Sequence, residues 1–124
     1  MKKLWLFCIS ILLMGCDYPN DKLAVDLGKE RAEKHLKDPK FSRVYFVEEN
    51  NSSDDAFRSY VCGYADFKDM YGNYYGFPLR FFVKVDITKN GSLIDTETSN
   101  FTIEPLINKE WFEKKWKANC KKNN

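Results

Sequence analysis

Residues 79–87 read Leu-Arg-Phe-Phe-Val-Lys-Val-Asp-Ile and show the clearest two-residue alternation in the chain. All the odd positions are apolar, whereas three of the four even positions are charged. A period of two is typical of a β-strand that buries one face. The next residues, Lys89-Asn90-Gly91-Ser92, contain the Asn-Gly pair that favours a tight hairpin. We therefore predict a strand over 79–87 and a hairpin partner over about residues 92–98.

Two further strands are predicted before this one. Residues 41–47 are rich in aromatic and β-branched side chains, which favour strands. Residues 57–67 form a second strand that is apolar on both faces, so we expect it at the centre of a sheet with both sides covered. One face carries Phe57, Val61, Ala65 and Phe67, and the other carries Tyr60, Cys62 and Tyr64.

Helical patterns flank the strands. Residues 21–37 have no internal proline, Asp21 is a candidate N-cap, and Asp38-Pro39 is expected to end the helix. Its small and apolar side is formed by Ala24, Val25, Gly28, Ala32 and Leu36. From about residue 108 helical spacing returns, with Phe112, Trp116 and Cys120 on one face. The predicted fold class is α+β: one antiparallel sheet of about four strands with an N-terminal and a C-terminal helix on opposite faces or on neighbouring parts.

The first sixteen residues have the composition of a secretion signal. Lys2 and Lys3 precede an uncharged apolar run over residues 4–14, which is too short to cross a hydrocarbon core of roughly 30 Å. The run ends in Leu13-Met14-Gly15-Cys16, which resembles the lipobox of bacterial lipoproteins. An ordinary secretory signal with a chance cysteine, or a buried N-terminal helix, is the alternative.

The lipobox resemblance implies a lipid modification and a cellular location. In that family the cysteine thiol receives fatty acyl chains such as palmitate and the preceding peptide is removed, so Cys16 would be the lipidation site and membrane lipid the first partner. Asp17 would imply retention at the inner membrane, on the periplasmic side. We therefore expect a signal peptide over 1–15, a lipidated tether over 16–20 and a single α+β domain over 21–124.

Length and charge limit the possible functions. Removal of residues 1–15 from the 124-residue chain leaves 109, enough for one domain. Lys2 and Lys3 leave with the signal, so the Lys and Arg count falls from 20 to 18 and equals the 18 Asp and Glu. A nucleic-acid binder normally has a basic surface, so that class is disfavoured.

Cys62 and Cys120 are the cysteines that remain outside the signal and the lipobox. Two thiols in an oxidising compartment most often pair, and this bridge would be worth about 4 kcal/mol on the chain-entropy model. Two free thiols, or a bond between chains, are the alternatives. Only His35 is available to join the two cysteines, so we expect no metal site and no cofactor.

Segments within residues 29–120 look like a small domain of uncharacterised bacterial and phage-borne envelope proteins. The resemblance rests on residues 36–44, 61–64, 71–77 and 81–83 and on Cys120. It implies the α+β build and the disulfide. It implies no activity, because that family has none to transfer.

An aromatic loop is the first candidate contact site. Tyr71, Tyr74, Tyr75 and Phe77 are the predicted partner-binding residues, and glycines punctuate the loop. Tyrosine with glycine suits recognition because the rings give contact area at a low entropy cost. The alternative is a turn whose rings fold back over the sheet.

A basic C-terminal stretch is the second candidate. Five lysines are predicted to face anionic headgroups: Lys114, Lys115, Lys117, Lys121 and Lys122. A solvated helix face and tail is the alternative.

Catalysis has little support in the sequence. No nucleophile elbow, zinc-protease or phosphate-loop motif occurs, and a lone His35 on a helix flank is expected to be a packing or hydrogen-bonding residue. We predict a non-catalytic, lipid-anchored envelope module that binds another protein near the membrane. The alternative is a small inhibitor or phage-exclusion lipoprotein that acts on a wall-degrading enzyme or a phage factor.

Overall fold

A computed structural model describes residues 19–121 of the chain. The predicted signal peptide, Cys16, Asp17 and Lys122 lie outside the described residues. Along the chain the elements are α1 (Asn20–His35), β1 (Lys37–Glu48), β2 (Ala56–Lys68), β3 (Leu79–Asn90), β4 (Leu93–Ile103) and α2 (Glu110–Asn119).

The four strands form one antiparallel sheet in the order β1-β2-β3-β4. Consecutive strands pair because each connection is short enough to return the chain beside itself. The predicted α+β class is confirmed, and so is the central position of β2. Strand β4 runs five residues further than predicted, to Ile103, because a register shift opposite Phe82 and Lys84 lets pairing resume.

The start of β1 differs from the prediction. Asp38 and Pro39 do not separate a helix from a strand, because α1 ends at His35 and β1 already begins at Lys37. Asp38 adopts φ 46°, and a register shift between Lys37 and Lys40 accommodates Asp38 and Pro39 within the strand. Proline is tolerated here because β1 is an edge strand, where a missing N–H need not interrupt the ladder.

The start of α1 also differs. The helix begins at Asn20, one residue early, and Pro19 occupies the N-cap position without a side-chain capping bond. Asp21 is therefore not the cap. Its Oδ1 instead accepts a hydrogen bond from the adjacent Lys22 N–H at 2.7 Å.

Helix α1 packs on one face of the sheet through small side chains. Ala24, Gly28, Ala32 and Leu36 are buried as predicted, whereas Val25 is only partly buried. A Cβ added at Gly28 would stand 2.5 Å from Val61 Cγ1, so glycine is what permits this approach. Beneath α1 lies an apolar core that includes Phe57, Val61, Ala65, Phe81, Val83, Val85 and Ile87.

Helix α2 covers the opposite face, which decides between the two helix arrangements left open by the sequence. Cys62 of β2 and Cys120 at the end of α2 form a disulfide with a Cα–Cα distance of 5.9 Å. Phe112 is fully buried, with its ring centroid 5.7 Å from that of Phe82. The predicted face of Phe112, Trp116 and Cys120 therefore docks on β2 and β3 as expected.

Candidate functional site

The loop between β2 and β3, residues 69–78, is held in shape by its own hydrogen bonds. Asp69 Oδ1 accepts from the backbone N–H of Tyr71 at 2.9 Å and from that of Asn73 at 3.0 Å. The Gly76 N–H lies 3.2 Å from each carboxylate oxygen of Asp66. Gly76 has φ 89°, a conformation that other residues rarely adopt. Hydrogen bonds within the chain therefore hold the loop in one conformation.

Two of the four predicted contact rings fold back over the sheet. The Tyr74 hydroxyl donates to the Asp38 carbonyl oxygen at 3.0 Å, and the Tyr75 ring meets the Phe67 ring edge-on at 5.1 Å between centroids. These rings fix the loop to β1 and β2, as the fold-back alternative describes.

The other two rings are exposed. Tyr71 is 81% exposed and Phe77 is 48% exposed, and Met70, at 84%, joins them. Sequence reasoning missed Met70, although it stands directly before Tyr71. The loop thus divides into a packed half, Tyr74 and Tyr75, and an exposed half that we name the aromatic tip: Met70, Tyr71 and Phe77.

Basic residues border the packed half of the loop. The Lys40 ammonium lies 4.1 Å from the centroid of the Tyr74 ring, within cation–π range. Lys68 Nζ pairs with Asp38 at 2.9 Å, and this hydrogen bond lowers the pKa of Asp38 and raises the pKa of Lys68. Both groups are solvated, so the pair adds little stability.

The loop lies at the end of the sheet opposite the start of α1. Asn20, in the first turn of α1, donates from Nδ2 to the Asp54 carbonyl at 3.3 Å, in the turn between β1 and β2. The β3–β4 hairpin is at the same end, because the Lys89 N–H donates to the Asp55 carbonyl at 2.8 Å. Strand β3, with 12 residues, spans about 40 Å between this end and the loop.

The described lysines of the C-terminal stretch border different depressions of the surface. Lys114, Lys115, Lys117 and Lys121 are all exposed. Lys117 and Lys121 border a depression beside the β1–β2 turn, whereas Lys114 shares a depression with Trp111 at the start of α2. Neither helix of the described chain has the length and hydropathy needed to cross a bilayer.

A partly buried ion network joins α2 to the sheet. The Arg80 guanidinium pairs with Glu104 at 3.0 Å and with Glu113 of α2, and Lys109 reaches Glu104 at 3.2 Å. Burial disfavours the charged form of Glu104, but hydrogen bonds from Arg80 and Lys109 outweigh it and lower the pKa of Glu104 to about 2. The network satisfies its own charges and acts as a structural clamp. Nothing near Glu104 in the sequence indicated this role, because Arg80 is 24 residues away.

The residues first considered for acid–base chemistry have other partners. The His35 ring stacks on the Phe101 ring at 4.7 Å and an interplanar angle of 4°, so its predicted packing role is confirmed. Asp66 and Asp69 bind the backbone of the loop. Across residues 19–121, no three His, Cys, Asp or Glu side chains are grouped so that they would hold a metal ion.

No protein-family model, curated protein or solved structure matches this chain. The likeness of Leu13-Met14-Gly15-Cys16 to a lipobox and that of residues 29–120 to an envelope domain therefore stay predictions from the sequence.

Proposed function

We propose that the protein is a non-catalytic, lipid-anchored envelope module that binds another protein through the aromatic tip. The observation that carries this proposal is the combination of order and exposure in one loop. The side chains of Met70, Tyr71 and Phe77 are large, apolar and exposed to water. Hydrogen bonds to Asp66 and Asp69 fix the backbone that carries them.

A fixed loop suits binding because little conformational entropy is lost when a partner immobilises it. Tyr, Phe and Met are enriched in protein interfaces, and a rigid ring supplies contact area with few torsions to freeze. Single exposed apolar residues are common on protein surfaces. Met70, Tyr71 and Phe77 belong instead to one loop whose backbone is fixed by Asp66 and Asp69, which favours recognition over chance exposure.

The position of the aromatic tip fits an anchored module. A diacylated Cys16 would hold the domain by the few residues before α1, which reach at most about 17 Å. The aromatic tip lies about 40 Å away, at the other end of β3. With the strands along the membrane normal, the tip would face away from the headgroups towards a partner in the adjacent periplasm.

Site-specific photo-crosslinking tests the contact. A photoreactive residue at position 71 should capture one envelope protein in cells, and the double variant Met70→Ala/Tyr71→Ala should reduce recovery of that protein in pull-downs by at least about tenfold. Tyr74 and Tyr75 are avoided because they hold the loop in place.

Leu93 provides the matched control, because it is 70% exposed and lies in the hairpin at the opposite end of the sheet. A photoreactive residue at position 93 should not capture the same protein, and Leu93→Ala should leave its recovery unchanged. Equal recovery with the tip variant would refute the proposed contact.

The anchor is tested separately by mass spectrometry of the membrane-extracted protein. We expect residues 1–15 to be absent and Cys16 to carry acyl chains, and Cys16→Ser should release the protein from membranes. An intact N-terminus with no acyl chains would remove the anchor from the proposal but leave the binding test unaffected.

A further inference from the structure

Strand β1 carries a bulge with an unusual residue at its centre. Arg43 has φ 52°, and the pairing with β2 shifts register between Ser42 and Tyr45. The other non-glycine residues with positive φ in the described chain are Asp38, Asn100 and Asn108. Asp and Asn enter this region readily, whereas a long side chain rarely does.

The bulge directs Arg43 over the α2 side of the sheet. Its guanidinium lies 4.8 Å from the centroid of the Tyr64 ring. There it borders an open cleft of about 520 Å³ between β1 and α2, a volume within the range of roughly 300–1,000 Å³ that is typical of ligand sites. Tyr45, Tyr64 and Trp116 form its aromatic wall, and Lys117 and Lys121 border it with Arg43.

The charges of this cleft are unbalanced. Glu113 is the carboxylate among its lining residues, and Arg80 already pairs with it. Within residues 19–121, Arg43, Lys117 and Lys121 form no ion pair with a carboxylate. Three cations therefore face a cleft whose own carboxylate is neutralised.

We propose that this cleft, which we name the Arg43 cleft, binds an acidic peptide segment. An arginine stacked on a tyrosine ring keeps the N–H edge of its guanidinium available for a bidentate carboxylate contact. Lys117 and Lys121 would bind a second carboxylate as mobile point charges. The aromatic wall suits the backbone and the aliphatic stems of a peptide, surfaces that a small inorganic anion lacks.

The location favours a peptide over a lipid headgroup. Tyr45 pairs with Cys62 near the middle of β2, so the cleft lies on the side of the sheet, about 20 Å from the end where α1 begins. A bilayer held at that end by the proposed anchor would meet Lys117 and Lys121, which also border the β1–β2 turn, before it met Arg43 or Tyr64. The site is separate from the aromatic tip, and only the exclusion of a lipid headgroup rests on the anchor of the proposed function.

Hexaglutamate, acetylated and amidated at its ends, is the probe. We expect it to shift the NMR resonances of the Trp116 indole N–H and the Arg43 side chain in the full-length chain purified in a non-ionic detergent. A neutral hexapeptide of glutamine and serine should not. Binding should weaken as salt is raised, because surface charges are screened.

Arg43→Gly is the decisive variant, because glycine adopts the positive φ without strain and the fold should persist. We expect hexaglutamate affinity to fall by about tenfold or more, which is the loss of one charge-assisted hydrogen bond. Arg43→Lys should give an intermediate loss. Arg31→Ala, on α1 at the opposite face, makes the same change in net charge and should leave binding unchanged.

Two results would overturn the proposal. Equal affinity in wild type and in a folded Arg43→Gly variant would show that the peptide does not use this cleft. Displacement of hexaglutamate by inorganic phosphate at equal concentration would show a simple anion site with no preference for a peptide.

Discussion

The two helices close the two faces of the sheet in different ways. Helix α1 lies flat on its face through Ala24, Gly28 and Ala32, and the core beneath it is apolar and continuous along β2 and β3. Helix α2 has only ten residues and is attached at a few strong points, namely the Cys62–Cys120 disulfide, the aromatic contacts of Phe112 and the Arg80 network.

This difference separates two kinds of stability. On the α1 face, stability comes from the close packing of apolar side chains. This contribution to the free energy of folding does not change with redox state or in mild acid. The α2 face depends on a covalent bond and on ionised carboxylates, so reductant and low pH should act there first. The disulfide and the ion pairs also explain how a helix of only ten residues stays on a sheet face that carries polar as well as apolar side chains.

Reduction of the disulfide should have the largest effect. The bond closes a loop of 58 residues, and its loss should lower the free energy of unfolding by about 4 kcal/mol on the chain-entropy model. Urea unfolding with and without a phosphine reductant measures the change. A loss below about 1 kcal/mol would show that α2 is held mainly by its noncovalent contacts.

Low pH should have the second-largest effect on stability, again at the α2 face. The pKa of Glu104 is lowered to about 2 in the folded protein, from an ordinary value of 4.5. A lowered pKa stabilises the fold above 4.5, and this contribution is lost as the pH falls from 4.5 to about 2. Because Glu104 is buried, the loss should approach 3 kcal/mol.

The variant Glu104→Gln tests the assignment. It should be less stable than wild type by a similar amount at pH 7, and its stability should fall less between pH 4.5 and 2. Glu30→Gln, at an exposed position of α1, is the control and should change neither quantity. An unchanged pH profile in Glu104→Gln would assign the acid sensitivity to other groups.

The faces of the sheet were predictable because their signal is local. A two-residue period placed Phe81, Val83 and Val85 on one side, and helical spacing placed Phe112 with Cys120. The disulfide followed from a count of cysteines, once an oxidising compartment was assumed. These are features that a short window of sequence specifies.

The features that the sequence did not predict depend on contacts between residues that are far apart in the chain. The bulge that redirects Arg43 depends on its pairing with β2, and the early start of β1 depends on the edge position that tolerates Pro39. In the aromatic loop, glycines indicate a turn, but Asp38 and Phe67 decide which rings fold back. No local pattern carries that information.

The variant Gly28→Ala tests the packing of α1 on its face of the sheet. The new Cβ would lie 2.5 Å from Val61 Cγ1, which requires a shift of the helix. Overpacking costs about 1–3 kcal/mol and the helix-propensity gain returns up to about 1, so we expect a net loss of about 1–2 kcal/mol.

The loss in Gly28→Ala should be the same in the oxidised and the reduced protein, because the two faces do not share contacts. Glu30→Ala, exposed on the same helix, should show no loss. A Gly28→Ala effect that disappears on reduction would mean that the two faces unfold as coupled units and are not independent.

The aromatic tip belongs to neither face, so truncating it should have the smallest effect on stability. Met70→Ala and Tyr71→Ala should each change the free energy of unfolding by less than about 0.5 kcal/mol, because both side chains are exposed. Tyr74→Phe, in the packed half of the same loop, loses the hydrogen bond to the Asp38 carbonyl and should cost about 1 kcal/mol. Thermal unfolding of the three variants measures the order. If Tyr71→Ala destabilises the protein more than Tyr74→Phe, the exposed ring stabilises the fold and is not reserved for a partner.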